Sequence, residues 1–283
     1  MTLDARGARY HVDVTGDPAS EPAVVLLHGF SGSSLDWSDL VPSLRSMGRA
    51  AIAVDLVGHG GSEAPTDPAR YTMRETVEDL DGIMAALGIP QADWVGYSMG
   101  GRVALHVALA RPERVRSLVL ESASSGIEDP EARERRRHED DKLATRIEER
   151  GIEWFADYWS TLPLFETQWE LDSSTRARLH ARRLANSPAG LARSLRGMGQ
   201  GAHGYLGGRL PELGPGALFL AGERDPKYAE VARRSAAAVP GARCVVVPGA
   251  GHTVHLEAPD AFARALAAHW GVLVPQPAEN AAS

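Results

Sequence analysis

Six short apolar runs punctuate the chain: residues 24–27 ahead of His28-Gly29, 50–54 ahead of Asp55, and 94–95 ahead of Gly96. The others are 117–120 ahead of Glu121, 217–220 ahead of Ala221-Gly222, and 244–247 ahead of Pro248-Gly249. These runs do not alternate with polar positions. Each therefore reads as a strand buried on both faces, as a parallel sheet requires. Between most of them lie amphipathic helical patterns, over 35–44, 73–87, 102–110, 228–238 and 259–270. This alternation predicts an α/β fold with a mostly parallel, doubly wound sheet. Near the N-terminus Ala8, Tyr10, Val12 and Val14 alternate with Arg9, His11 and Asp13. That period of two predicts an antiparallel edge strand.

The rhythm breaks between residues 126 and 205, where no buried-strand pattern occurs. This stretch carries a charged helical segment over 130–150 and the aromatics Trp154, Phe155, Tyr158, Trp159, Phe165 and Trp169. It begins just after a strand end, where open α/β sheets bind their ligands. The expected organisation is a core formed by 1–125 and 206–273, with 126–205 inserted as a helical cap. Residues 274–283 read as a frayed tail.

The pentapeptide Gly96-Tyr97-Ser98-Met99-Gly100 has the form G-x-S-x-G, with a strand pattern before it and a helical pattern after it. In that context it predicts a nucleophile elbow of the α/β-hydrolase fold, in which the glycines make room for a strained turn at the serine. A serine hydroxyl needs a histidine to take its proton and an acid to orient that histidine. In this fold the acid and then the histidine follow the serine in the chain. Asp225 follows the 217–220 run and His252 follows the 244–247 run. Ser98, Asp225 and His252 are thus the candidate catalytic residues, with Glu223 and His255 as the neighbouring alternatives. The loop His28-Gly29-Phe30-Ser31-Gly32 follows the 24–27 run. The amides of Phe30 and Met99 are the candidate oxyanion hole. His28 and His59 are expected to be structural.

Composition narrows the partners. The chain has 283 residues, 43% of them apolar, and a net charge of −7, which disfavours nucleic acid. Neither a signal segment nor an apolar run long enough to span a membrane is evident, so a cytoplasmic location is expected. The single cysteine, Cys244, lies in a strand pattern and reads as a small packed side chain. There is no phosphate-cradling G-x-x-x-x-G-K, no G-x-G-x-x-G after the first strand and no metal-ligand spacing. The expectation is therefore no cofactor and no metal, with a small carboxylated molecule as partner.

Arginine supplies the next clue, since only two of the 30 basic residues are lysines. Arg102 follows Ser98 by one helical turn. The inserted segment adds Arg133, Arg135, Arg136 and Arg137, then Arg182 and Arg183. A guanidinium binds carboxylate bidentately. Glu131, Glu134 and Glu139 are close enough in sequence to neutralise several of these arginines. By placement, Arg102 is the one forced to lie beside the serine. The triad alone also fits an ester or carbon–carbon hydrolase acting on a small carboxylated substrate, and a binding protein that retains the fold is a third reading.

Five segments together carry a family resemblance. They are Gly96-Tyr97-Ser98-Met99-Gly100-Gly101-Arg102, Arg133-x-x-Arg136-x-x-x-Asp140, Phe155-Ala156-Asp157-Tyr158-Trp159 with Pro163-Leu164-Phe165, Arg183-Leu184-Ala185-Asn186, and Gly222-Glu223-Arg224-Asp225-Pro226-Lys227-Tyr228. The chain resembles the 2-succinyl-6-hydroxy-2,4-cyclohexadiene-1-carboxylate synthases of menaquinone biosynthesis. The resemblance implies a lyase that eliminates pyruvate from 2-succinyl-5-enolpyruvyl-6-hydroxy-3-cyclohexene-1-carboxylate. It further implies that Ser98 abstracts the ring proton and that Arg102, Arg136 and Arg183 hold carboxylates. Tyr97 and one of Tyr158 or Trp159 would add contacts. One segment departs from the family pattern: Gln200-Gly201-Ala202-His203-Gly204-Tyr205 stands where Gln-Pro is frequent.

Overall fold

The computed structural model describes residues 1–214 and 216–272; the tail expected over 274–283 lies outside them. Eight strands form one sheet: β1 (Thr2–Ala5), β2 (Ala8–Thr15), β3 (Ala23–Leu27), β4 (Ala50–Val54), β5 (Ala92–Tyr97), β6 (Val115–Glu121), β7 (Ala217–Gly222) and β8 (Arg243–Val247). Their spatial order is β1-β2-β4-β3-β5-β6-β7-β8. From β4 to β8 every neighbouring pair is parallel, whereas β1–β2 and β2–β4 are antiparallel. The helices are α1 (Val41–Ser46), α2 (Met73–Ala86), α3 (Met99–Ala110), α4 (Pro130–Ser160), α5 (Ser173–Leu184), α6 (Pro188–Met198), α7 (Pro226–Ala238), α8 (Val254–Glu257) and α9 (Pro259–Trp270).

The two sheet faces build two cores from alternate residues of the same strands. Val25, Leu27, Ile52, Val54 and Phe219 pack with Val77, Leu80, Val103, Ala104 and Ala229 of α2, α3 and α7. Val24, Leu26, Ala51, Ala53, Leu218 and Leu220 pack with Leu44, Phe262 and Leu266 of α1 and α9. A strand covered on both sides has no polar face, so its sequence is a continuous apolar run. Between β6 and β7 the chain is helical. There Ala144, Ile147, Phe155, Leu191, Ala192 and Leu195 form a third, smaller core.

Four details differ from the sequence expectations. The strand at Ala8–Thr15 is not the sheet edge, because β1 pairs with its outer side. The hairpin between them turns at Arg6 and Gly7, both at positive φ. Arginine is an unusual residue there, which hides the turn. The helix expected over 35–44 splits into a 3₁₀ turn, Ser34–Trp37, and α1. Pro42 sits in the first turn of α1, where its missing N–H costs nothing. Helix α4 extends beyond residue 150, but Gly151 breaks it with φ 82° and ψ −178°. Finally, Cys244 is exposed rather than packed, because β8 is the other sheet edge. Among the described residues no helix is long and apolar enough to cross a membrane.

Candidate active site

Because β3 to β8 run parallel, their C-terminal ends share one edge of the sheet. The turn from β5 into α3 places Ser98 there with φ 51° and ψ −106°. A non-glycine residue in such a conformation is strained by about 1–3 kcal/mol and is held by its surroundings. Those surroundings exclude side chains. A Cβ on Gly96 would lie 2.4 Å from the Gly100 carbonyl oxygen, and one on Gly100 would lie 2.2 Å from that of Leu27. The Ser98 amide donates to the Glu121 carbonyl at 2.8 Å, tying the turn to β6.

The loops after β7 and β8 bring two partners to the serine. His252 Nε2 lies 3.2 Å from Ser98 Oγ, and His252 Nδ1 lies 2.6 Å from Asp225 Oδ2. This contact sets the tautomer: Nδ1 carries the hydrogen toward the carboxylate, and the Nε2 lone pair faces the hydroxyl. His252 and Asp225 are both buried, and the ring of Tyr228 stands 4.7 Å from that of His252. The two neighbouring alternatives are engaged elsewhere. Glu223 accepts from the Gly249 amide at the surface. His255 Nδ1 lies 2.8 Å from Glu121 Oε2, and its ring stacks on Trp37.

Phe30 and Met99 border the same cavity as Ser98, and their amides donate to none of the described residues. The Gly29–Gly32 turn, with Ser31 at φ 65°, holds the Phe30 amide in place. His28 braces this loop: its Nδ1 bonds the Gly29 carbonyl and its Nε2 accepts from the Leu56 amide. His59 is buried against His28, and burial pushes its pKa down to about 3.

The cavity over Ser98 has a volume of about 280 Å³. Arg102, Arg136, Trp159, Lys227 and Tyr228 are among its walls. Arg102 is buried, and among the described residues it pairs with no carboxylate. Its Nη1 donates to the Met198 carbonyl at 2.6 Å and to His203 Nε2 at 3.1 Å. Burial lowers its pKa to about 10, so at neutral pH it remains a cation in poor solvent. Arg136 is shared between Asp140 at 2.8 Å and Gln200 at 2.9 Å.

Arg183 is not on this wall. It borders an adjoining space of about 40 Å³, together with Tyr97, Gln168, Thr253 and His255. On this scale a water takes about 10–15 Å³, so the space fits a carboxylate group but not a ring. Arg183 Nη2 donates to Gln168 Oε1 at 3.0 Å, and burial also pulls its pKa down. Phe30, Tyr97, Trp159 and Phe165 border both spaces. The Tyr97 hydroxyl is fixed 3.0 Å from Thr253 Oγ1, and burial pushes its pKa well above the usual phenol value.

Trp159 packs edge-on against Phe30 at 5.3 Å. Tyr158 instead stacks on Trp154 at 5.1 Å, with Arg146 over its ring, and lines neither space. Of the other arginines, Arg135 and Arg137 pair with Glu131 and Glu134 in solvent, and Arg182 pairs with Asp36. Sequence reasoning did not single out Gln168, Thr253 or Glu121 as parts of the site. No local pattern marks them, because contacts such as Gln168 with Thr253 and Glu121 with His255 join positions 85 and 134 residues apart.

Residues 22–259 match the model of the alpha/beta hydrolase fold family. A Bacillus subtilis protein, provisionally named 2-succinyl-6-hydroxy-2,4-cyclohexadiene-1-carboxylate synthase, is 40% identical over 91% of this chain and 93% of its own. A Pectobacterium atrosepticum protein bearing that name outright is 32% identical over 86% and 91%. The chain belongs to this synthase family. The solved structure of MenH from S. aureus superposes with a TM-score of 0.86 at 31% identity, covering 92% of this chain and 98% of that one. The synthase fold is shared with hydrolases. An enol-lactonase from Burkholderia xenovorans superposes at 0.82 and 25% identity, over 96% of this chain and all of that one. What separates a synthase from such neighbours must lie in the walls around the serine rather than in the fold.

Proposed function

We propose that this chain is a carbon–oxygen lyase that converts 2-succinyl-5-enolpyruvyl-6-hydroxy-3-cyclohexene-1-carboxylate into 2-succinyl-6-hydroxy-2,4-cyclohexadiene-1-carboxylate and pyruvate. The observation that carries this reading is Arg102, a buried cation that pairs with no carboxylate among the described residues, on the wall that also holds Ser98. The substrate has three carboxylates, and Arg102, Arg136 and Arg183 are the groups proposed to receive them.

The ring hydrogen at C2 is acidified by the adjacent succinyl ketone. Ser98 Oγ takes that proton while passing its own to His252 Nε2, and Asp225 stabilises the imidazolium that forms. The electron pair moves onto the ketone oxygen, where the Phe30 and Met99 amides would bind it. The charge then returns. A double bond forms at C2–C3, the old C3–C4 double bond moves to C4–C5, and the C5–oxygen bond breaks. The departing enolpyruvate gains the proton on carbon and becomes pyruvate, so atoms balance without water. Trp159, Phe165 and Tyr97 would shield the serine from solvent. A cytoplasmic location and a small carboxylated partner, without nucleic acid or membrane, belong to the same reading.

Hydrolysis of an ester or carbon–carbon bond is the second reading, favoured by the 3.2 Å Ser98–His252 contact, which serves acyl transfer equally well. Incubation with the enolpyruvyl substrate, with pyruvate followed by coupled reduction, separates the two. Stoichiometric pyruvate and the conjugated diene are expected. Rapid turnover of neutral esters without pyruvate release would overturn the lyase reading.

A further inference from the structure

His203 stands in the segment where this chain departs from its family pattern, and it takes no part in the proton transfer at Ser98. It is 8% exposed and follows the glycine-rich turn after α6. Its Nε2 lies 3.1 Å from Arg102 Nη1 and its Nδ1 lies 3.1 Å from the Gly204 carbonyl. A guanidinium nitrogen can only donate, so Nε2 must present a lone pair. The hydrogen is then on Nδ1 and donates to Gly204. The contacts thus require a neutral ring in a single tautomer. Burial and the Arg102 charge act in the same direction, holding its pKa near 3. His106, one helical turn after Arg102 on α3, packs edge-on against it at 5.2 Å.

The consequence falls on Arg102. Its Nη1 carries two hydrogens, and both are taken, one by the Met198 carbonyl and one by His203. Both acceptors are neutral. Nε and Nη2, which form one parallel donor edge, bond to none of the described residues. A carboxylate accepts along such an edge with two hydrogen bonds. An aspartate or glutamate at position 203 would orient the guanidinium equally well, but would cancel the charge that a ligand must feel.

We infer that His203 is a positioning residue for carboxylate binding: a neutral acceptor that turns the Nε/Nη2 edge of Arg102 toward the Ser98 cavity and leaves its charge uncompensated. The inference rests on the lyase reading only in taking the ligand to be a carboxylate.

The test compares His203→Gln, His203→Leu and His203→Glu for KM, kcat and thermal midpoint. His203→Gln keeps a neutral acceptor at the Nε2 position and is expected to hold KM within about threefold. His203→Leu removes the acceptor, so KM rises about tenfold with kcat little changed. His203→Glu raises KM further, while its midpoint stays at or above that of the unaltered protein, because the buried cation gains a partner. Affinity and stability then move in opposite directions, which a purely structural role would not produce. Equal KM in the Gln and Glu variants, or in the Gln and Leu variants, overturns the inference. An independent arm needs no substitution. Nitrogen-15 NMR of the unaltered protein at pH 6–7 should show a His203 ring protonated on Nδ1 only; protonation on Nε2 overturns the inference. If the unaltered protein released no pyruvate, the lyase reading would fall, and the NMR result would still decide the role of His203.

Discussion

The Gln168 side chain donates to Thr253 Oγ1 at 2.9 Å, one residue beyond His252. Its other end accepts from Arg183. One amide from the inserted helices thus joins the histidine loop to a buried cation. Gln168→Leu should free Arg183 and loosen the hydroxyl that holds Tyr97. The expected outcome is a KM raised about tenfold with the fold intact, measured by steady-state pyruvate release and circular dichroism. An unchanged KM would mean that Arg183 does not meet the substrate.

Ser98 combines chemistry with backbone strain. Ser98→Ala should lower kcat by a factor of about 10²–10⁴, the usual contribution of a positioned base. Ser98→Gly should be equally inactive yet more stable by about 1 kcal/mol, since glycine relieves the positive φ. Thermal midpoints of the two variants check this. A Gly variant no more stable than the Ala variant would show that the turn carries no strain.

Arg102→Ala removes a charge-assisted pair worth about 1.5–3 kcal/mol, so kcat/KM should fall at least tenfold for the enolpyruvyl substrate. The same variant should leave hydrolysis of a neutral ester, if any occurs, unaltered. Equal loss on both substrates would mean that the arginine supports the fold of the site rather than the ligand.

Acid stability should carry the signature of buried neutral histidines. Burial lowers the pKa of His59 and His203 to about 3 and that of His106 to about 4. Each returns to about 6.5 on unfolding. The unfolded chain therefore binds more protons in between. Stability is full above about pH 6.5 and falls as pH drops toward 4, by about 1.4 kcal/mol per pH unit for each such ring. His106→Gln should remove about one proton from the slope near pH 5, as read by urea unfolding between pH 5 and 7. An unaltered slope would mean that His106 is already charged in the folded protein.

The sheet was legible because a strand covered on both faces leaves an uninterrupted apolar run, and because parallel strands put all their C-terminal ends on one edge. That same geometry let Ser98, Asp225 and His252 be grouped from their positions after strand ends. The walls of the site were less legible. Tyr158 and Trp159 are adjacent on a helix and so point about 100° apart, and Gly151 resets the phase just before them. The periodicity of 130–150 therefore cannot choose between them. Nor does spacing show that Tyr97 borders both the serine cavity and the space beside Arg183. Contacts such as Arg102 with His203 join positions 101 residues apart and depend on how the inserted helices settle on the sheet.

The ring of Tyr97, clamped through its hydroxyl, is one of four aromatic walls shared by a roomy chamber and a narrow niche. A molecule that engages Arg102 in the one and Arg183 in the other has its acidic arms set apart by those shared walls. Selectivity here is therefore expected to follow how a ligand spaces its acidic arms more than how many it carries.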